Sequence, residues 1–370
     1  MIRIQLVREY PIAPELWLSW RQLACGLSMR QPEWLLSWWE AYAPSDAELY
    51  LLIARDDDRL VGLIPWYRLK SERQLRLLGD GEVCTDYNGV MCAPDQDGLR
   101  INTAFAKWLL EHAKDREIGW DSIYMEGIPQ ADSLTRDLRR SMVQQGSPKM
   151  ERNPMNTWCI DLTDGWDGYL ARSSKDTRKR LRRRLESLSR VEVHRVISET
   201  DWKAFYPILV DLHQKRRNSL GEPGCFADLR FKSFLENASI RMLQLGQLQA
   251  FCLEKQGQPI AADIGFRSPT HWYCYQGGIE PDAMDLEPGK MANVWMISQA
   301  QSQGIHFIDF LRGDEPYKKQ LKAESTAICD LWVARPGLKG VSLKWLRQST
   351  ELIADVARGL YQSIPITMPR

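Results

Sequence analysis

Five ionisable side chains fall within seven residues near the C-terminal end of the chain: Arg312, Asp314, Glu315, Tyr317 and Lys318. An apolar run before them, Ile305, Phe307, Ile308 and Phe310, predicts a strand buried on at least one face, with Asp309 inside it. Gly313 permits a sharp exit from that strand, and Pro316 suits the first turn of a following helix. A dense set of acids, bases and donors at a strand end is where α/β folds usually place chemistry. The plainer alternative is a polar loop whose charges pair with each other.

The elements around this stretch set what it can reach. Residues 248–254, 259–266 and 270–276 read as strands joined by short turns, with a further strand at 240–245. Ile260, Ala262, Ile264 and Phe266 share one strand face, which leaves Asp263 on the other, either in a cleft or paired with Arg267. A loop over 277–288 leads to a helix over 289–303, and backbone N–H groups at such a helix start can face an anion. Upstream, a helix over 173–190 holds seven Lys/Arg and one acid between residues 175 and 184, a local +6, while the rest of the chain sums to −5. Like charges crowded on one helix repel, and a bound phosphate relieves them. The next helix, capped at Thr200 and running through Arg217 past Pro207, carries His213 beside its apolar stripe. His213 is either a satisfied helix residue or a base.

The run Arg312-Gly313-Asp314-Glu315-Pro316-Tyr317-Lys318 also carries a resemblance, together with Leu212, His213, Arg216 and Pro288-Gly289. It resembles the acetyltransferase domain of the CelD/BcsL type, in the GNAT superfamily close to its FemABX-like branch. The resemblance is best over residues 165–325, with weaker segments at 59–67 and 78–89. It implies an α+β protein of tandem GNAT-like domains, with mixed, mostly antiparallel sheets flanked by helices. It also implies acyl transfer, acetylation above all, from a thioester such as acyl-CoA directly to an amine or hydroxyl, in cell-envelope or exopolysaccharide metabolism. Asp309, Asp314 and Asp263 are then candidate bases, with His213 a further one, and Tyr317 the candidate acid. Pro288, Gly289 and Lys290 would hold the donor, as would Lys175, Arg178 and Arg182 on the basic helix. Arg312, Lys318 and Arg216 would hold anionic groups of the substrate. The chain lacks the usual Q/R-x-x-G-x-G/A loop of GNAT proteins and has only Glu287-Pro288-Gly289-Lys290 in its place.

The first half reads as a strand over 1–10, helices from Glu15 and Pro32, a hairpin across Asp56–Asp58, a strand over 74–78, and helices over 99–113 and 133–145 flanking a strand at 122–126. Residues 79–98 read as loop, where Asp86 and Tyr87 either face a ligand or shape a turn. Residues 148–156 read as a linker into a strand at 157–162. Residues 327–334 read as an edge strand, followed by a helix over 340–361. The expected division is an N-terminal GNAT-like domain over 1–160, the acyltransferase domain over 161–335 and a helical tail over 336–370. Fifteen Trp either fill cores or line a cleft. Eight scattered Cys without a C-x-x-C pair and five His without a two-His metal pattern point to a reducing compartment, the cytoplasm, and to no metal. No apolar run reaches the length of a membrane span, and Met1 to Tyr10 is too polar for a signal peptide. Two rival functions remain open: a FemABX-type ligase using aminoacyl-tRNA, and a non-catalytic module that binds a polysaccharide or a partner protein.

Overall fold

The computed structural model describes residues 2–362, with side chains described through residue 351. The first half comprises β1 (Ile2–Val7), α1 (Pro14–Leu23), α2 (Pro32–Tyr42), the hairpin β2 (Ala47–Asp56) and β3 (Arg59–Leu69), β4 (Gln74–Leu77), β5 (Met91–Cys92), α3 (Gly98–His112), β6 (Ser122–Pro129) and α4 (Ser133–Gln144). Then comes β7 (Lys149–Asp161), followed by α5 (Gly165–Ala171), α6 (Lys175–Ser187), β8 (Glu192–Arg195), α7 (Glu199–Ser219) and α8 (Leu229–Gln244). The chain continues through the meander β9 (Leu248–Lys255), β10 (Gln258–Arg267) and β11 (His271–Ile279), then α9 (Pro288–Ala300), β12 (Phe307–Arg312), α10 (Pro316–Gln320), β13 (Glu324–Ala334) and α11 (Leu338–Gln362).

Local chemistry accounts for most of these boundaries. The side chains of Asp97, Asp132, Ser174, Ser198 and Asp228 cap α3, α4, α6, α7 and α8 by accepting from first-turn N–H groups. Proline opens α1, α2, α9 and α10, where its missing N–H costs nothing. The turn between β9 and β10 uses Gln256 and Gly257, both at positive φ (53° and 80°), as a tight hairpin requires.

All the strands join one sheet, in the order β1-β2-β3-β4-β6-β13-β7-β12-β11-β10-β9-β8, with β5 beside β3. Most neighbours are antiparallel; β4 with β6 and β11 with β12 are parallel. Each half thus contains an antiparallel meander ending in a parallel pair, and the two arrangements share the central strands. β7 pairs with β12 of the second half, while β13 lies between β6 and β7. One apolar core runs under the first half and continues beneath α7 and α8. A second lies on the opposite face, under α5, α6 and α9. Trp34 stitches the halves, with Phe234, Phe266 and Tyr275 edge-on around it at centroid distances of 4.8 to 4.9 Å.

Four expectations change. Residues 240–244 belong to α8 and Leu245 caps it, because Phe231, Phe234, Leu235, Ala238 and Met242 form one buried helical stripe. Residues 149–156 are strand, because pairing with β13 satisfies their backbone although most of their side chains are exposed. Residues 327–334 lie at the centre of the sheet, not at its edge. Ser198, not Thr200, caps α7, which runs through Pro207 without a break.

Candidate active site

β11 and β12 run side by side for only three residue pairs, His271–Tyr273 against Phe307–Asp309, and then diverge. Two backbone features drive them apart. The register of β10 on β11 slips at Ile264/Gly265, leaving Tyr275 as a bulge. On the other strand, Leu311 turns into the left-handed region with φ 56°, and Gly313 follows at φ 112°. From Cys274 onward the edge of β11 that faces this gap has no strand partner among the described residues. A cavity of about 740 Å³ fills the divergence, running from the start of α9 to the 82–86 loop of the first half.

Asp263 lies in the wall of this cavity. It sits across from Gly277, and a Cβ there would stand 2.5 Å from its Oδ1, so the glycine gives the carboxylate its room. Asp263 has no hydrogen-bond or ion-pair partner among the described residues. Desolvation in this wall, which it shares with Phe251, Trp272, Cys274 and Met296, raises its carboxyl to about 7, where it exchanges a proton readily at neutral pH. Tyr317 lines the same space with its ring edge-on to Phe310, centroids 5.7 Å apart. Burial pushes its phenol upward, so it stays protonated and able to donate.

At the other end Pro288, Gly289 and Lys290 line the cavity in the first turn of α9. Glu287, at φ 53°, precedes them and pairs with Lys290 and, at 2.7 Å, with Arg184 of α6. These two partners hold its carboxyl at about 2. Arg184, one of seven basic residues in this helix and not distinguished by its spacing, is therefore the residue by which the basic helix reaches the start of α9. Lys175 and Arg182 are solvent-exposed, and Arg178 is partly covered with Nη1 3.5 Å from the Ala171 carbonyl; none lines the cavity. Arg216 does line it and has no acid partner among the described residues.

Much of the Arg312–Lys318 run makes internal contacts. Arg312 donates from Nε to Asp86 Oδ1 at 2.6 Å and from its backbone N–H to Asp86 Oδ2 at 2.9 Å. Asp86 is completely buried, and burial raises its carboxyl against the pull of Arg312. Asp314 accepts from Asn156 and Trp158, both at 2.9 Å, and the first of these bonds does most to lower its carboxyl. Lys318 is 2% exposed and donates to the carbonyls of Leu311, Arg312 and Gly313. Asp309 is buried outside the cavity lining, with one oxygen on the Leu311 N–H and the other on the Tyr87 hydroxyl. Burial raises it to about 7 as well, but neither oxygen is free. His213 is buried between α7 and β11, with Nδ1 beside Gln214 and its ring edge-on to Phe226; burial lowers its pKa. Of the candidate residues, the cavity wall thus contains Asp263, Tyr317, Pro288, Gly289, Lys290, Arg216, Asp86, Arg312 and Lys318. Asp309, Asp314, His213 and Tyr87 lie outside it.

Glu82 and Gln249, which nothing in their spacing marks out, also line the wall, as does the Gly277-Gly278 pair. That pair carried a usable signal, because glycine inside a strand marks close approach by backbone or ligand. Of the Trp side chains, Trp272 lines the cavity and most of the others pack in the cores. One group of three potential metal ligands among the described residues, Glu192, His194 and Glu254, lies on the β8–β9 edge outside the cavity. No helix among the described residues is long and apolar enough to cross a membrane.

Residues 172–319, which include the strand divergence and most of the cavity wall, match the family model described as an acetyltransferase (GNAT) domain. This segment therefore matches an acetyltransferase (GNAT) domain, which makes acyltransferase the enzyme class. The fold is a tandem GNAT-like one, and solved structures share it at low identity. FemX aligns with a TM-score of 0.55 at 12% identity, over 80% of this chain and 90% of its own. A conserved protein of unknown function from Bacteroides thetaiotaomicron aligns at 0.54 and 13%, over 90% and 100%. The C-terminal domain of a putative lysylphosphatidylglycerol synthetase from Agrobacterium fabrum aligns at 0.52 and 12%, over 89% and 96%. No curated protein matches the sequence.

Proposed function

We propose that the protein transfers an acyl group from a thioester donor, acyl-CoA in the first instance, to an amine or hydroxyl acceptor in the gap between β11 and β12. The observation that carries this reading is an unpartnered carboxylate, Asp263, and a protonated phenol, Tyr317, in one cavity that opens onto the start of a helix. The amide-bearing arm of the donor adds to the free edge of β11 as an extended strand would. The first turn of α9 and Arg216 hold its phosphates. Asp263 accepts the proton of the acceptor as its N or O attacks the thioester carbonyl. The C–S bond then breaks, and Tyr317 returns a proton to the departing thiolate. Backbone N–H groups at the β11 bulge stabilise the transient oxyanion. The resemblance to CelD/BcsL-type domains favours an acceptor from envelope or exopolysaccharide metabolism, and a cytoplasmic site of action.

Thermal shift in the presence of acetyl-CoA, uncharged tRNA and nucleotide sugars tests the donor, since a ligand at 100 times its Kd stabilises by about 2.7 kcal/mol. A shift with acetyl-CoA is expected; none would overturn CoA as donor. Gly289→Asp sharpens this test. Its Cβ would meet only Ile279, at an ordinary 3.6 Å, so the fold survives while a negative charge enters the phosphate end. Acetyl-CoA affinity should fall by about tenfold or more, and equal affinity in a folded variant would move the donor elsewhere.

The basic helix favours one second reading, an aminoacyl-tRNA donor. Lys175, Lys179, Arg182 and Arg183 are exposed without an acid partner among the described residues. Arg178→Gln with Arg182→Gln should flatten the salt dependence of RNA binding by about two units of log–log slope and leave the melting temperature unchanged. An unaltered slope, or no RNA binding at all, makes this helix ordinary solvated surface.

A further inference from the structure

The backbone at the end of β12 is held by side chains from both halves of the chain. Leu311 is a non-glycine residue at φ 56°, a conformation that persists only where its surroundings impose it. Its N–H is taken by Asp309 Oδ1 at 2.7 Å, and the next N–H, of Arg312, by Asp86 Oδ2 at 2.9 Å. The carbonyls of Leu311, Arg312 and Gly313 all converge on Lys318 Nζ, at 3.3, 3.0 and 2.9 Å. The two carboxylates are themselves fixed, Asp309 by the Tyr87 hydroxyl and Asp86 by Arg312 Nε. Asp86 and Tyr87 belong to the first half, and the same loop is tied to β11 where the Tyr275 hydroxyl donates to the Val83 carbonyl at 2.9 Å. The loop between β4 and β5 thus grips both diverging strands.

We propose that Lys318, Asp86 and Asp309, with Tyr87 behind Asp309, are positioning residues that hold the Leu311 turn and so set the width of the β11–β12 gap. The ionisable run that marks this chain then acts on the reaction through backbone geometry, and the first half takes part in the transferase as the wall that holds its site open. The effect on donor binding rests on the acyl-transfer reading; the latch itself does not.

The test separates the two. Hydrogen–deuterium exchange on the ligand-free protein reads the latch, and calorimetric titration with acetyl-CoA reads its consequence. In Lys318→Met and Asp86→Asn, amides over residues 309–314 should exchange at least about tenfold faster, and the acetyl-CoA Kd should rise by about tenfold or more. Tyr87→Phe removes one hydroxyl only and should fold like wild type, with a change of about threefold in both readouts. It carries the test if the other variants do not fold. Leu16→Ala, in the core under α1, is the control for general destabilisation: its melting temperature falls while both readouts stay at wild-type values. Unchanged exchange over 309–314 in the folded variants overturns the latch. Faster exchange with an unchanged Kd overturns its role in setting the gap. Failure of wild type to bind acetyl-CoA overturns the donor reading instead, and the exchange data then judge the latch alone.

Discussion

Asp263→Asn is expected to lower turnover by about 10²-fold or more while leaving acetyl-CoA affinity intact. The substitution keeps the shape of the side chain and removes its capacity to accept a proton. The pH dependence has a definite sign. A base with its pKa near 7 is active above that value, so the wild-type rate should fall on the acid side of about pH 7, tenfold per unit, and the residual rate of the variant should lose that limb. Stability should move the opposite way. A carboxyl raised in the folded state is ionised more readily in the unfolded chain, so its contribution to stability declines as pH rises from the ordinary carboxylate range through about 7. At pH 8 the Asn variant should therefore melt higher than wild type while turning over more slowly. A rate equal to wild type would remove Asp263 from the chemistry. Asp309→Asn is the companion measurement. Both oxygens of Asp309 are engaged at the Leu311 turn, so donor affinity should change along with turnover, and a turnover loss with affinity intact would return Asp309 to the role of base.

Gly277→Ala and Gly278→Ala, one residue apart, should fail in different ways. At Gly277 the new methyl group would lie 2.5 Å from the Asp263 carboxylate, on the cavity face of β11. The side chain must rotate away, and turnover should drop by about tenfold or more with modest loss of stability. At Gly278 the methyl would lie 2.3 Å from the His213 backbone nitrogen and 2.6 Å from the Leu212 carbonyl carbon, on the face that α7 covers. Neither strand nor helix backbone can yield cheaply there, and the expected cost is about 3 kcal/mol of stability. Denaturant unfolding and steady-state turnover on both variants check this. Equal loss of stability in the two would mean that Gly277 also packs against structure and not against the carboxylate.

The sequence carried the element pattern well where periodicity and caps agreed. The hairpin across Asp56–Asp58, the meander from 248 onward and the helix–strand pair ending at Arg312 are all where spacing predicted. It failed where tertiary pairing overrode local pattern, as at 149–156, whose side chains look like linker but whose backbone is claimed by β13. The candidate site was legible in part for a similar reason. Asp263 was visible because alternation put it on the face opposite Ala262, Ile264 and Phe266; Ile260, expected on that same face, is instead turned into the second core by a bulge. The roles of Asp86, Asp309 and Lys318 were not, because each depends on a carbonyl or N–H brought near only by folding. A dense charge run announces that something is held there; it does not say whether a ligand or the chain's own backbone is held.

The placing of β13 between β6 and β7 has a consequence for how the molecule is made. During synthesis the first half emerges with β6 lacking its neighbour on one side, and that neighbour, Glu324–Ala334, is translated about 200 residues later. Until then β6 and β7 present open edges, the kind of surface that invites pairing with another nascent chain. The contacts that close the sheet span about 200 residues of sequence, which makes assembly slow relative to a protein of local contacts. For the same reason the matched region 172–319 is not a module to be cut out, since β12 would lose β7 along one edge. The site on β11 and β12 therefore depends on strands drawn from both halves of the chain, and neither half could be removed without unzipping the centre of the sheet.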